Sequence, residues 1–190
     1  MKYNIVYADP PWDYKRKGGP KHIGTASQTY KCLKDEEIYS LNVQDITSNN
    51  CILFLWTTFP KLPVGLETIK RWGFTYKTGG FVWIKTNKVN TNTLFWGTGH
   101  YTRANAELCL LGVKGKPVIK SHGVHQVIMS PNIKHSKKPN IVRERIVTLC
   151  GNISRIELFA REKFKGWSTW GDEVNSNINL SFNKKGESIT

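Results

Sequence analysis

Acids are scarce in this sequence. Its 190 residues hold 14 Asp and Glu against 28 Lys and Arg, a formal charge of +14. Solubility alone does not call for so large an excess, which points to a polyanionic partner, either nucleic acid or a membrane surface. Long apolar runs are also missing. The longest, Ile52-Leu53-Phe54-Leu55-Trp56, falls well short of the roughly 20 residues a helix needs to cross a bilayer. Nucleic acid is therefore the expected partner, with no membrane. Met1-Lys2-Tyr3-Asn4 passes straight into a strand-like stretch with no signal-peptide pattern, so an intracellular, cytoplasmic location is expected. The four cysteines, at 32, 51, 109 and 150, show no CxxC spacing. That argues against a disulfide framework or a zinc site and leaves buried or idle thiols. His122 and His125 form a close pair, but no carboxylate or cysteine cluster joins them. A surface role is preferred over metal binding, and no metal is expected.

What is present alternates between short apolar runs and helical stretches. Tyr3 to Ala8, Cys51 to Thr57, Phe81 to Ile84, Glu107 to Val113 and Arg155 to Ala160 read as strands. Lys34 to Leu41 reads as a short helix with acids in its first turn. Leu62 to Trp72 reads as a helix ended by Gly73, and Lys138-Pro139-Asn140 opens another that runs to Cys150 and stops at Gly151. Strands separated by helices predict one α/β domain with an at least partly parallel sheet and helices on both faces. Ligands in such sheets collect at the carboxyl ends of strands.

One motif lies at such an end: Ala8-Asp9-Pro10-Pro11-Trp12-Asp13-Tyr14. A structural reading has two prolines stopping a strand while Trp12 fills a gap under the loop. A functional reading starts from the prolines, which fix the backbone direction and leave the Asp9 and Pro10 carbonyls without local amide donors. Such acceptors suit the exocyclic amine of a nucleobase, a poor nucleophile until its protons are accepted. Trp12 or Tyr14 is expected to stack on a base that is flipped out or single-stranded.

Further blocks follow in order: Leu53-Phe54-Leu55-Trp56-Thr57, Val82-Trp83-Ile84-Lys85-Thr86-Asn87, Thr98-Gly99-His100, Leu111-Gly112-Val113-Lys114-Gly115, His135-Ser136-Lys137-Lys138-Pro139 and Arg155 to Arg161. Together with the Asp-Pro-Pro-Trp motif they resemble the MT-A-seventy family of N6-adenine methyltransferases, across about residues 3–173. The resemblance implies a Rossmann-like methyltransferase sheet in permuted motif order, with the catalytic motif ahead of the cofactor motifs. It implies a methyltransferase domain over 1–174, followed by a polar, flexible tail over 175–190. The implied cofactor is S-adenosyl-L-methionine, and the implied reaction is direct methyl transfer to the adenine amine.

Carried over by position, the resemblance assigns catalysis to Asp9, Pro10, Pro11 and Trp12. Cofactor contacts fall to Asp9, Lys138, Glu157, Leu158, Arg161, Asp172 and Glu173, with Lys138 on the cofactor's carboxylate. Among substrate contacts the resemblance adds Tyr30, beside Trp12 and Tyr14, read from the motif as stacking rings, and the basic residues Lys15, Arg16 and Lys17, read from composition as phosphate contacts. Tyr30 either holds the flipped base or packs under its loop. Two departures stand out: Asp172-Glu173 where relatives commonly carry Asn-Gln, and Lys163-Phe164 where they carry His-Asn. The loop from Lys85 to Arg103, with Lys88, Trp96 and Tyr101, suits phosphate contact and base stacking. A compact, strongly basic form resembles the bacterial or phage members of the family, which favours DNA over RNA, and a homodimer is the expected assembly. RNA methylation and a catalytically silent nucleic-acid-binding subunit remain the alternatives, as do cytosine N4 and a protein glutamine amide as acceptors.

Overall fold

The computed structural model describes residues 2–14, 32–99, 101–133 and 137–182. Among them, seven strands form one sheet. In chain order they are β1 (Tyr3–Ala8), β2 (Thr47–Thr57), β3 (Thr75–Thr86), β4 (Ala106–Lys114), β5 (Val127–Pro131), β6 (Arg155–Leu158) and β7 (Ser168–Trp170). Across the sheet they lie in the order β5-β3-β4-β2-β1-β6-β7. Parallel pairing joins β1 to β2 and β6, β6 to β7, and β3 to β5. Only β4 runs antiparallel to its neighbours β2 and β3. The start of β4 therefore lies at the same edge as the carboxyl ends of the other six.

The three α-helices among the described residues are α1 (Asp35–Tyr39), α2 (Leu62–Arg71) and α3 (Ile141–Cys150). Alternation along the central strands sends each helix to a definite face. Val6 and Ala8 of β1, with Leu53 and Leu55 of β2, face Ile38, Ile69 and Trp72 beside α1 and α2. Ile5, Tyr7, Ile52, Phe54 and Trp56 face Val142, Ile146 and Cys150 of α3. Both faces of β1 and β2 are thus buried, which is why their sequences read as continuous apolar runs. Each such side chain contributes roughly 1.5–3 kcal/mol on burial. α2 presents Gly65, Thr68 and Ile69 to the sheet at helical spacing, and the Trp72 indole N–H donates to the Ile38 carbonyl at 2.9 Å, tying α2 to α1.

Element ends differ from the sequence reading where pairing overrides composition. β2 begins at polar Thr47, opposite Tyr3, and β3 begins at Thr75, opposite Val113. β5 and β7, of five and three residues, are too short to carry a periodic signal and form by pairing along β3 and β6. β6 stops at Leu158, two residues early, because Phe159 turns to φ 59°. The tail expected to fray from residue 175 instead packs on the body as far as Phe182. Leu180 is buried against the first core, and Asn177 binds Thr169 through backbone and side chain. Residues 183–190 lie outside the described residues.

Candidate active site

β1 carries Asp9 to the carboxyl edge of the sheet, where Ala8 is flanked by Leu55 of β2 and Leu158 of β6. From β1 and β6 the chain continues in opposite directions across the sheet, the arrangement that opens a ligand crevice between neighbouring strands. Pro10 and Pro11 then fold the chain sharply: the Trp12 amide donates to the Pro10 carbonyl at 2.9 Å, and the Leu33 amide to the Pro11 carbonyl at 2.9 Å. The Pro10 carbonyl is thus not free of donors, contrary to expectation, although a carbonyl oxygen has a second lone pair to offer. Trp12 also departs from its expected role. Its ring is 5% exposed in the first core, with the indole N–H donating to the Trp56 carbonyl at 3.1 Å, so no face is open to a base. Tyr14 is the exposed aromatic here, at 39%, its hydroxyl hydrogen-bonded to Thr58 at 2.7 Å.

A string of buried charges runs from Asp9. Lys138 Nζ lies 2.8 Å from each Asp9 carboxylate oxygen and 3.1 Å from Glu107 Oε2, and Glu107 Oε1 pairs with Lys85. The Lys138 ammonium also sits 5.5 Å from the Trp56 ring. Burial pushes the Asp9 carboxyl above the ordinary aspartate range, and Lys138 offsets this only in part. At Glu107 burial pushes the same way, yet the two lysines outweigh it and hold the carboxyl below its usual value. For Lys138 burial favours loss of the proton, but its two carboxylate partners prevail and raise it. Lys85 therefore serves the protein interior and not a phosphate. Glu107 was missed as a site residue because an acid inside a strand-like run carries no local mark of its partners.

A second buried pair lies across the crevice. Arg143 of α3 grips both oxygens of Glu157, through Nε at 2.7 Å and Nη2 at 2.5 Å, while its guanidinium packs 3.8 Å from the centre of the Phe164 ring. Burial raises the Glu157 carboxyl, opposed by Arg143. The Leu158 side chain is buried in the core shared with Ile38, Ile69 and Trp72, and Leu158 lines neither cavity, contrary to its expected cofactor contact. After Phe159 the strand ends knit together: the Ala160 amide donates to the Trp170 carbonyl at 2.9 Å, and the Phe159 and Trp170 rings meet edge to face at 5.4 Å. Arg161 stands 3.5 Å from Glu173.

These groups line two adjoining cavities that share Asp9, Phe159, Arg161 and Glu173. One, of about 240 Å3, brings in Tyr7, Lys138, Arg143 and Glu157. The other, of about 430 Å3, brings in Pro11, Leu33, Trp170, Asp172 and Phe182. The MT-A70 family model matches residues 3–173. The chain belongs to the MT-A70 family. A type II methyltransferase of Mycoplasma, M.MunI, is 37% identical over 93% of the chain and 79% of its own length. The human N(6)-adenosine-methyltransferase catalytic subunit METTL3 is 31% identical over 91% of the chain, and the Arabidopsis thaliana MT-A70-like N(6)-adenosine-methyltransferase 28% over 91%. The chain spans about a quarter of the length of those two, 28% and 24%.

MT-A70 methyltransferases take their methyl group from S-adenosylmethionine, and the residues of this chain fit that group. The smaller cavity offers both signs of charge to a zwitterionic amino-acid end, through the Asp9–Lys138 pair and the Glu157–Arg143 pair. The larger joins the apolar rings of Phe159, Trp170 and Phe182 with the carboxylates of Asp172 and Glu173, acceptors suited to ribose hydroxyls beside a base. Asp172 and Glu173 therefore face the site although they replace the family's common Asn-Gln. Of the expected MT-A70 contacts, Asp9, Pro11, Lys138, Glu157, Arg161, Asp172 and Glu173 line the two cavities. Lys15, Arg16, Lys17 and Tyr30 lie outside the described residues.

Proposed function

We propose that this chain transfers a methyl group from S-adenosylmethionine to the N6 amine of adenine in DNA, with Asp9 and Pro10 holding the amine. One observation carries the reading: the Asp9 carboxylate borders both cavities at the carboxyl edge of the sheet, directly before a backbone turn fixed by two prolines. Asp9 accepts one amine N–H and the spare lone pair of the Pro10 carbonyl accepts the other. That draws the nitrogen lone pair out of conjugation and aims it into the crevice. When bound, the cofactor would supply an electrophilic methyl on a sulfonium, the new N–C bond forming as the C–S bond breaks and one amine proton being released. Asp9, with its raised proton affinity, is the group placed to take that proton on its way to solvent. Positioning of this kind removes much of the barrier without a covalent enzyme intermediate.

Tyr14 takes the stacking role that buried Trp12 cannot fill. An adenine within a duplex must be flipped to reach Asp9, so single strands and distorted duplexes are the preferred substrates. DNA is preferred over RNA because the relative whose length this chain mostly spans is a type II methyltransferase, whereas it spans about a quarter of the adenosine methyltransferases. A homodimer, in which a second copy lends its basic surface to the substrate strand, completes the proposal.

The test supplies methyl-labelled cofactor with single-stranded DNA, duplex DNA and RNA of matched sequence. Label entering DNA faster than RNA, and single strands faster than perfect duplex, is the expected result. Label confined to RNA would move the assignment to that polymer. A chain that binds cofactor and labels nothing would be a silent subunit.

A further inference from the structure

The loop between β3 and β4 carries chemistry that methyl transfer at Asp9 does not use. Residues 86–106 contain Lys88, His100 and Arg103 and no acid. The loop is anchored at its base: the Lys85 amide donates to the Asn105 carbonyl at 2.7 Å and the Phe95 amide to the Lys85 carbonyl at 2.9 Å. The Lys85 ammonium pairs with Glu107 across the same base. Higher up, the two limbs lie back to back. A Cβ on Gly97 would sit 1.7 Å from the Ala104 carbonyl oxygen, and one on Gly99 would sit 1.8 Å from that of Thr102. Only glycine allows this approach, and it sets Trp96 on one limb beside Arg103 on the other, the guanidinium 5.0 Å from the ring centre.

Trp96 is 74% exposed and Tyr101 97%. A cation held against a large open indole, with a second open aromatic on a loop whose sequence contains no acid, matches the two recurrent needs of strand binding: a ring on which a base stacks and a charge for its phosphate. The loop rises from the carboxyl edge of the sheet, where its basal Glu107 reaches Lys138 and through it Asp9. We infer that residues 87–99 and 101–105 form a platform for the nucleic-acid strand bearing the target adenine, with a neighbouring base stacked on Trp96 and its phosphate on Arg103. The inference rests on the proposed reaction at Asp9 and adds a surface outside the crevice.

The test measures binding of a fluorescent adenine-containing oligonucleotide to the full chain with S-adenosylhomocysteine present, beside cofactor affinity by calorimetry. Trp96→Ala weakens oligonucleotide binding roughly tenfold, the scale of one lost base–aromatic stack, while Trp96→Phe keeps most of the affinity. Arg103→Gln lowers the slope of log affinity against log salt by about one. Cofactor affinity stays at the wild-type value in all three. Oligonucleotide affinity and methylation rate unchanged in Trp96→Ala, while the wild type methylates DNA, would overturn the platform and leave the reaction standing. A Trp96→Ala chain that passes from dimer to monomer in sedimentation with its affinity per chain unchanged would assign the loop to a contact between copies and overturn it too. A wild type that methylates no nucleic acid would remove the reaction first, and the platform with it.

Discussion

Asp9 meets opposed demands. In the proposed reaction its carboxylate must be ionised to accept amine protons, yet burial pushes it toward the protonated form, and Lys138 restores only part of the balance. Protonation above the ordinary aspartate value of about 3.9 means that kcat/KM falls, as pH is lowered, at a higher pH than a solvated aspartate would give. A pH profile of methyl transfer checks this, and Lys138→Met is expected to move that limb further up by removing the neighbouring cation. A limb unmoved by Lys138→Met would show that the pair does not persist in the working enzyme. For stability the signs differ between the two acids. The raised Asp9 favours the fold below its unfolded value, and that contribution is lost as pH rises through its folded value. The lowered Glu107 favours the fold above its unfolded value and loses that contribution as pH falls. At this scale the motif was legible, since an acid and two prolines after a strand announce themselves locally. The partners were not: Lys138 stands 129 positions from Asp9, and no local pattern records that it grips that acid. Trp12 was misread because a tryptophan after two prolines looks the same in sequence whether its ring meets a ligand or, as here, the core.

The ends of β6 and β7 build the wall of the crevice. Phe159 adopts φ 59°, a conformation that costs a residue with a side chain on the order of 1–3 kcal/mol and that gathers at functional sites. Here the turn brings the Phe159 ring to the lining of both cavities. Gly171 lets the following chain lie against Ala160, whose carbonyl oxygen would be 2.3 Å from an added Cβ. Gly171→Ala must therefore part the two strand ends. The expected outcome is a loss of cofactor affinity of about tenfold or more by calorimetry, with destabilisation of roughly 1–3 kcal/mol in denaturant unfolding. Unchanged cofactor affinity would take this crossover out of the site. Strands buried on both faces and helices ended by Gly73 and Gly151 could be read from the sequence, because apolar runs and glycine stops are local signals. β5, β7 and the first turns of β2 and β3 could not, because neighbouring strands impose them on polar or short segments. The packing of residues 175–182 escaped for the same reason: Leu180 is a single apolar residue in a polar stretch, and its pocket is made by distant elements.

Across the whole molecule, the permuted order explains why the acid comes first in the chain and the cofactor wall last. β1 lies beside β6, so residues near position 9 and near position 159 close one crevice. The surplus of positive charge lies largely outside that crevice, where Lys138, Arg143 and Arg161 are each matched by an acid. The β3–β4 loop carries part of the remainder, with Lys88 and Arg103 and no acid of its own in sequence. The sequence-level match to relatives was strong in its ordered set of blocks, while the choice of polymer depends on surface contacts that no block encodes. The central claim is that Asp9 presents an adenine amine to the methyl donor. Its most direct test incubates wild type and Asp9→Ala with methyl-labelled cofactor and DNA, digests the product and identifies the labelled nucleoside. The account predicts N6-methyladenine from the wild type and a loss of on the order of 100-fold or more in Asp9→Ala, with DNA binding retained. Label on cytosine, or an Asp9→Ala chain that transfers at the wild-type rate, would contradict it.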